Sequence, residues 1–248
     1  MLLRRVIEHV RAQNWTAVVI DFVIVVVGVF VGLQAQQWAE NQADRKRESE
    51  YLLALAKDIR EDIAHIEKAL NVERARMSTL DHLLREATGA ALPDGFNSAR
   101  GRVIVEPFPP YAEDDPYDTA YTLFIYDSMI AHKAAYETII NTGGLELIRD
   151  AALLREIQDY YASVELIDRF EELMEAARDR FIEAQRQAGI SPVDRRSMKE
   201  LVEFFEADAA MTAAGKNFWL FTNRHLMYLT ELKFAADTVA RMLETEVK

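Results

Sequence analysis

The longest apolar run in the chain extends from Trp15 to Leu33 and reads WTAVVIDFVIVVVGVFVGL. A single ionisable residue, Asp21, interrupts it. A bilayer core requires about 20 apolar residues in a helix. Trp15 and Trp38 bracket the run as interface anchors, in the manner of an aromatic belt. The pattern therefore predicts one transmembrane helix over residues 15–38.

Residues 1–14 show a second pattern, in which apolar side chains share one helical face and arginines lie elsewhere. This pattern predicts a cytoplasmic amphipathic segment lying in the membrane interface. A cleaved signal peptide is one alternative, but the apolar run is long, contains Asp21 and lacks a small-residue cleavage site. A buried core helix is the other, and the two flanking tryptophans argue against it.

Basic residues flank the apolar run on both sides, so their count alone does not orient it. Arg4, Arg5 and Arg11 precede the run, while Arg45, Lys46 and Arg47 follow it. The short N-terminal tail lies closer to the membrane, and long following domains translocate largely regardless of charge. We expect a single-pass protein of the bacterial inner membrane, with a cytoplasmic N-terminus and a periplasmic C-terminal domain.

Glycine and proline divide residues 39–248 into helical runs. There is neither between Leu33 and Thr88, whereas residues 89–118 hold five of the six prolines and form an irregular insertion. Further helices are expected in four places: Asp127 or Ser128 to Gly143, Ala151 to Ala188, Ser197 to Asp208, and after Gly215 to Lys248. A small β-ribbon, pairing Arg102–Glu106 with Tyr121–Tyr126, remains an open alternative within this scheme.

Apolar spacing predicts how these helices pack. Side chains recur at steps of three and four in three stripes: Leu52, Leu55, Ile59, Ile63, Ile66 and Leu70; Leu153, Ile157, Tyr160, Val164 and Ile167; Leu229, Leu232, Ala236, Val239 and Leu243. A strict heptad in the first helix would bury Asp62, Glu73 and Arg76, which argues against a rod-like coiled coil. The predicted fold is all-α: a transmembrane helix, then an antiparallel bundle of three long and two short helices.

The amino-acid composition excludes several kinds of chemistry. The chain has no cysteine, which excludes disulfides, thiolate catalysis and cysteine-based metal sites. The formal net charge is −12; residues 1–33 contribute +1 and the rest of the chain −13, so binding to nucleic acid is not expected.

Residues that could carry chemistry are few. Asp62 and His65 have the i, i+3 spacing of bundle metal sites, but no second such motif follows, so we interpret them as an exposed helical face. His225 borders an apolar stripe and is expected to be a hydrogen-bonded core histidine. Phosphate-loop, nucleophile-elbow and zinc-protease motifs are absent from the sequence. We therefore expect no catalytic residue, no metal and no cofactor.

Three residues of the transmembrane run have candidate roles. Gly28 and Gly32 lie one turn apart, a spacing that lets two helix backbones approach closely in lipid, although glycine is common in membrane helices. Asp21 lies about two turns inside the expected cytoplasmic surface. Such intramembrane acids usually face a partner or an ion path. The favoured alternative is that Asp21 reaches the headgroups or pairs with a basic residue.

Two groups of motifs are similar to a bacterial family of membrane-anchored proteins known only as a domain of unknown function. The first is Gln13-Asn-Trp15 with the apolar run and Gly32-Leu-Gln34 up to Trp38. The second is Ala135-Tyr136 through Gly143, Leu147-Ile-Arg-Asp150 and Tyr160-Tyr161. The resemblance implies a single-pass topology and no particular activity. Val19-Ile-Asp21-Phe-Val also resembles the anchors of the small subunits of proton-driven motors.

The sequence thus predicts a non-enzymatic, membrane-anchored interaction or scaffold protein. Its expected partners are the lipid bilayer and either another protein or a second copy of the chain, through the transmembrane helix. Two alternatives remain open: an accessory subunit of an ion-coupled complex that uses Asp21, and a ligand-sensing helical bundle.

Overall fold

The computed structural model describes residues 15–92, 108–112, 123–124, 128–191, 193–194 and 196–246, with side chains from Val19 onward. Every regular element in these residues is helical, which confirms the all-α prediction. The elements are α1 (Trp15–Thr88), α2 (Ala134–Asn141), a 3-10 helix (Gly144–Leu147), α3 (Ala151–Gln187), α4 (Met198–Ala207) and α5 (Ala209–Glu246).

The chain divides into two compact units, Met1–Glu50 and Tyr51–Lys248. In the first unit, the large apolar side chains of α1 between Val19 and Leu33 are all 48–68% exposed. Within the described residues, α1 is the one helix long and apolar enough to cross a membrane. The predicted long apolar helix at the N-terminal end is therefore present.

In the second unit, the predicted apolar stripes form the core. All five stripe positions of α3 and all five of α5 are buried. On α1, Leu52, Leu55, Ile59 and their neighbours are buried as well, and Ile63 is partly buried. The 3.6-residue period in the sequence thus identified the buried faces of all three long helices.

Helix ends follow the local sequence. Asp150 caps α3, where its Oδ1 accepts hydrogen bonds from the backbone N–H groups of Ala152 and Leu153 at 2.8 and 3.1 Å. Ser197 and Glu200 form a reciprocal capping box at the start of α4. Gly189 follows α3 with a φ of +79°, a conformation that glycine adopts without strain.

The predicted start of the last long helix was wrong. The helix begins at Ala209, and Gly215 lies inside it. Asp208 supplies the cap, since its Oδ1 accepts hydrogen bonds from Ala210 and Met211 at 2.8 and 3.1 Å. Gly215 is buried, and a Cβ there would lie 2.6 Å from Cε1 of Phe205. The glycine therefore permits close packing with α4 and does not break the helix.

The β-ribbon was predicted to use residues 121–126, but Leu123 and Phe124 are helical and buried. This disfavours the predicted second strand. Residues 102–106, residues 1–14 and much of the 89–118 insertion lie outside the described part of the chain.

The short helix before Gly143 starts at Ala134, later than predicted from Ser128; Asp127 lies outside the described residues. Residues 128–133 are irregular, and we call them the strap.

Candidate functional site

The predicted residues of the transmembrane run all lie on α1. Asp21, Gly28, Gly32 and Trp38 are exposed, and Trp15 is the first residue of the helix. A Cβ added at Gly28 or Gly32 would meet no atom within 4 Å, so both glycines present open helix surface. Among the described side chains, those of Asp21 and Trp38 are exposed on the helix surface.

The second unit contains a polar site that the sequence did not predict. This site includes the strap, which is held by carboxylates from two helices. The backbone N–H of Met129 donates to Glu171 of α3 at 2.8 Å, and that of His132 donates to Asp62 of α1 at 2.8 Å. Just beyond the strap, the N–H of Ala135 donates to Asp58 at 3.1 Å. Because Asp62 holds the N–H of His132, that group makes no helical hydrogen bond, and α2 starts at Ala134.

Asp62 is the centre of this site and is fully buried. Its Oδ1 accepts hydrogen bonds from the backbone N–H of His132 and from Nδ1 of the same residue, at 2.8 and 2.7 Å. Its Oδ2 accepts a 2.6 Å hydrogen bond from the hydroxyl of Tyr160. The interpretation of Asp62 as part of an exposed face was therefore wrong: three donors stabilise the buried carboxylate.

The Asp62–His65 pair is divided between two environments. Asp62 points into the core, whereas His65 is exposed and its Nδ1 lies 3.4 Å from the carbonyl oxygen of Ile130. In the described residues, no group of three or more histidine and acidic side chains is placed to hold a metal ion.

His132 lies between two carboxylates of α1. Its Nδ1 contacts Asp62, and its Nε2 lies 3.3 Å from Oε2 of Glu61. The hydrogen bond to Asp62, together with the charges of Asp62, Glu61 and Asp58, raises the pKa of His132 above its ordinary value of 6.5. The imidazole is partly exposed, so solvent protons reach it.

Three tyrosines complete this part of the site. Burial raises the pKa of Tyr160, and the hydrogen bond to Asp62 adds to the effect, so the phenol remains a donor. Burial also raises the pKa of Tyr161, whose hydroxyl donates to the carbonyl oxygen of His132 at 3.3 Å. The ring of Tyr136 stacks on that of Tyr161 with centroids 4.0 Å apart, and this contact holds α2 against α3.

A second polar cluster lies deeper in the core. Glu73, Arg76 and His225 are all fully buried. Oε1 of Glu73 accepts hydrogen bonds from Nη1 of Arg76 at 2.6 Å and from Nδ1 of His225 at 2.9 Å. The guanidinium of Arg76 lies over the ring of Phe218, 5.6 Å from its centroid. His225 is thus the hydrogen-bonded core histidine that the sequence predicted.

Glu171 joins the two clusters. Its Oε1 accepts the N–H of Met129 in the strap and lies 3.8 Å from Nε2 of His225. Burial alone would lower the pKa of His225, but the charges of Glu73 and Glu171 and the hydrogen bond to Glu73 outweigh it and raise that pKa to about 9. Burial likewise opposes ionisation of Glu73, yet Arg76 and His225 hold the pKa of Glu73 below its ordinary value. Two carboxylates, one guanidinium and one imidazolium balance in charge only while His225 is protonated.

These groups pair with one another and hold helices and strap together. The signal for them was present in the sequence, because Asp62, Glu73 and Arg76 fall on the buried face that a heptad in α1 would create. In the sequence that placement argues against a heptad, whereas in the structure all three residues are buried. Their partners come from distant parts of the chain, and spacing alone could not identify them.

No protein-family model matches the chain, and neither a curated protein nor a solved structure is significantly similar to it.

Proposed function

We propose that the chain is a non-enzymatic, membrane-anchored protein whose helical domain binds another protein or a second copy of itself. The observation that carries this proposal is the apolar surface of α1 between Val19 and Leu33, where every large apolar side chain is at least 48% exposed. Such a continuous apolar surface is unfavourable in water and is typical of a helix in lipid.

Extraction of membranes with alkaline carbonate tests the anchor. Full-length protein should remain in the pellet, together with a known integral membrane protein as the control. A matched variant with Val23, Val27 and Phe30 all changed to Glu should fail to insert. Release of the unaltered chain into the supernatant would contradict the anchor.

We further propose that the N-terminus is cytoplasmic and that residues 39–248 are periplasmic, in the inner membrane of a bacterium. The position of Arg4, Arg5 and Arg11 beside the apolar run supports this orientation. A reporter enzyme that is active only in the periplasm, fused after residue 248, should be active. The same fusion without residues 1–38 should be inactive, and an inactive full-length fusion of normal abundance would reverse the orientation.

For residues 39–248 we propose an antiparallel bundle, a form suited to binding a partner along its helices. The order of contacts supports it. Phe170 of α3 pairs with Tyr228 of α5, and Phe181 further along α3 pairs with Phe218 earlier in α5. Circular dichroism of a chain that starts at Ala39 should show a strongly helical, cooperatively unfolding protein.

The transmembrane helix itself is a proposed contact with a protein partner or a second copy. Gly28 and Gly32 leave open backbone surface one turn apart, as close helix packing in lipid requires. Gly28→Leu and Gly32→Leu should reduce crosslinking between tagged copies or co-purification of a partner. Val27→Leu, on the neighbouring surface, is the matched control and should leave both signals unchanged.

The alternative role in an ion-coupled complex rests on Asp21, which is exposed on α1. An acid in the membrane usually faces a partner or an ion path. Asp21→Asn keeps the size of the side chain and removes its proton chemistry. If Asp21→Asn still co-purifies with the partner but the cellular phenotype is lost, ion coupling is favoured. If both the partner and the phenotype are retained, α1 acts as an anchor.

A ligand-sensing role is favoured by one feature, a groove of about 430 Å³ between α1 and α5 in the second unit. Ala56, Ile63 and Ala240 supply apolar surface, and Arg60 and Arg241 are among the charged residues that line it. A volume of this size is in the range of small-molecule sites. A screen of small polar metabolites for a rise in melting temperature, repeated with Arg241→Ala, tests this alternative.

We also propose that the chain belongs to the family of membrane-anchored proteins that its motifs resemble. The structural roles of the second group of motifs support this proposal. Tyr136 and Tyr161 stack on each other, Gly143 has a φ of +70° at the end of α2, and Asp150 caps α3. The tyrosine stack joins α2 to α3, while the glycine and the aspartate form helix ends. A search for related sequences that share this set tests the membership.

A further inference from the structure

The strap carries a histidine whose contacts depend on its charge. Both ring nitrogens of His132 face carboxylates: Nδ1 lies 2.7 Å from Asp62 and Nε2 lies 3.3 Å from Glu61. A neutral imidazole has one N–H donor, so it can donate to only one of the two carboxylates. The other nitrogen then presents a lone pair to a negative oxygen. Only the imidazolium is favourable at both contacts.

We propose that residues 128–133 form a proton-dependent latch, which is bound tightly to α1 and α3 while His132 is protonated and loosens when His132 loses its proton. The latch is independent of the proposed membrane anchor and adds a form of regulation to the second unit. Its geometry rests on the three backbone N–H groups held by carboxylates and on the two-sided contact of the imidazole.

The charged groups around His132 all favour the cation. On α1, Asp58 lies one turn before Asp62 and holds the N–H of Ala135, and Glu61 lies beside Nε2. His65 of α1 is also able to carry positive charge, and its ring centroid is 5.4 Å from that of His132. His65 is exposed and contacts the carbonyl oxygen of Ile130, so it remains hydrated.

The groups on α3 and on the strap itself do not reverse this balance. Tyr160 and Tyr161 have raised pKa values and stay neutral donors. Lys133, next to His132, forms an ion pair with Asp168 of α3. This pair and the hydrogen bond from Met129 to Glu171 hold the strap by contacts that do not involve the imidazole. Loss of the proton therefore loosens the centre of the strap and leaves these contacts in place.

The direction of the effect follows from the raised pKa of His132. A histidine with a higher pKa in the bound strap than in the free one stabilises the bound strap at low pH. That contribution is complete below the ordinary value of 6.5 and is lost as pH rises through the raised pKa. The strap therefore tightens in mild acid and loosens on the alkaline side of neutrality, a range in which histidine is the usual switch.

Glu171 extends the latch into the core. The same Oε1 accepts the N–H of Met129 and lies near Nε2 of the buried His225. The latch thus gives the buried charge cluster a connection to the surface of the protein.

Hydrogen exchange of the full chain in lipid nanodiscs tests the latch. Protection factors, corrected for intrinsic exchange, are measured at pH 6.0 and 8.5 for the amides of His132 and Ala135 and compared with core amides of α3. We expect strap protection to fall relative to the core by about tenfold for each unit by which the bound and free pKa values differ. Equal ratios at both pH values would overturn the latch.

His132→Asn is the direct variant, because its side-chain amide can donate to Asp62 in place of Nδ1 but carries no charge. Strap protection in this variant should be low at pH 6.0 and should not change by pH 8.5. Glu61→Gln, at an exposed position, removes the second carboxylate without disturbing the core and should reduce the change with pH, though by less than His132→Asn does. His82→Asn is the control, since His82 stacks on Tyr111, away from the strap. An unchanged pH response in both His132→Asn and Glu61→Gln would refute the proposal.

Discussion

Nδ1 of His225 lies 2.9 Å from Oε1 of Glu73, although 152 positions separate the two residues in the chain. The contact joins α5 to α1 at a point where neither side chain is exposed to solvent. Buried charges at such a point are stable only with their partners in place. The five predictions that follow test how the core uses charge, hydrogen bonds and close packing.

Removing the charge of His225 should destabilise the second unit strongly. His225→Gln keeps a hydrogen-bond donor but leaves Glu73 and Glu171 opposite a single cation, Arg76. We expect a loss of about 3 kcal/mol or more in the free energy of unfolding, measured by chemical denaturation of the detergent-solubilised chain. His82→Gln, at a partly exposed site, should change that free energy by less than about 1 kcal/mol. Equal effects of the two variants would show that the buried cluster contributes no more to the free energy of unfolding than a partly exposed position does.

Stability should fall as pH rises from about 6.5 to 9. The pKa of His225 is about 9, above its ordinary value of 6.5, so its contribution is complete below pH 6.5 and lost by about pH 9. The loss should be on the order of 3 kcal/mol, with a further contribution of the same sign from His132. Melting temperatures measured from pH 5.5 to 9.5 should show this decline, and His225→Gln should flatten it.

In acid, the dependence of stability on pH has the opposite sign, and stability should fall as pH falls. The pKa of Glu73 lies below its ordinary value of 4.5, so its ionisation stabilises the fold above that pH and the contribution is lost as pH falls further. We expect acid unfolding of the unaltered chain well below pH 4.5. Glu73→Gln should have lower stability at pH 6 and a weaker dependence on pH in this range, as measured by circular dichroism.

Two adjacent tyrosines provide a matched comparison. The hydroxyl of Tyr160 donates to the buried carboxylate of Asp62 at 2.6 Å, whereas that of Tyr161 donates to a carbonyl at 3.3 Å. Hydrogen bonds to a charged acceptor are about twice as strong as neutral ones. Tyr160→Phe should therefore cost about 1.5–3 kcal/mol of unfolding free energy and Tyr161→Phe less than about 1 kcal/mol. A larger cost at Tyr161 would contradict the assignment of Asp62 as the centre of the site.

Substitution by alanine should have different effects at two glycines. A Cβ at Gly215 would lie 2.6 Å from the ring of Phe205, and overpacking of this kind costs about 1–3 kcal/mol. A Cβ at Gly28 would meet no atom within 4 Å. Thermal unfolding of the second unit should therefore shift downward in Gly215→Ala and stay unchanged in Gly28→Ala. No shift in Gly215→Ala would mean that Phe205 moves aside freely.

Much of the fold follows from local sequence. Asp150, Ser197 and Gly189 determine helix ends through contacts within a few residues, and the apolar stripes follow the helical period. The predicted helix start after Gly215 was wrong because glycine can either end a helix or allow another helix to pack closely. The choice depends on Phe205, whose position in space the local sequence does not reveal.

The polar site was harder to predict, for a related reason. An acidic residue on an apolar stripe indicates either an exposed face or a buried charge with a distant partner. Asp62 meets Tyr160 after 98 positions and His132 after 70, and no spacing rule connects them. The later start of α2 has the same origin, since it depends on carboxylates of α1 and α3.

The zero net charge of the buried cluster has a consequence for the evolution of the chain. Positions 73, 76, 171 and 225 contribute two negative and two positive charges when His225 is protonated, so a substitution at one position leaves an unbalanced charge. Descendants of this sequence should therefore change these positions in compensating pairs, such as a neutral residue at 225 with glutamine at 171. Correlated substitution at these four positions would serve as a signature for recognising distant relatives whose overall sequence has diverged.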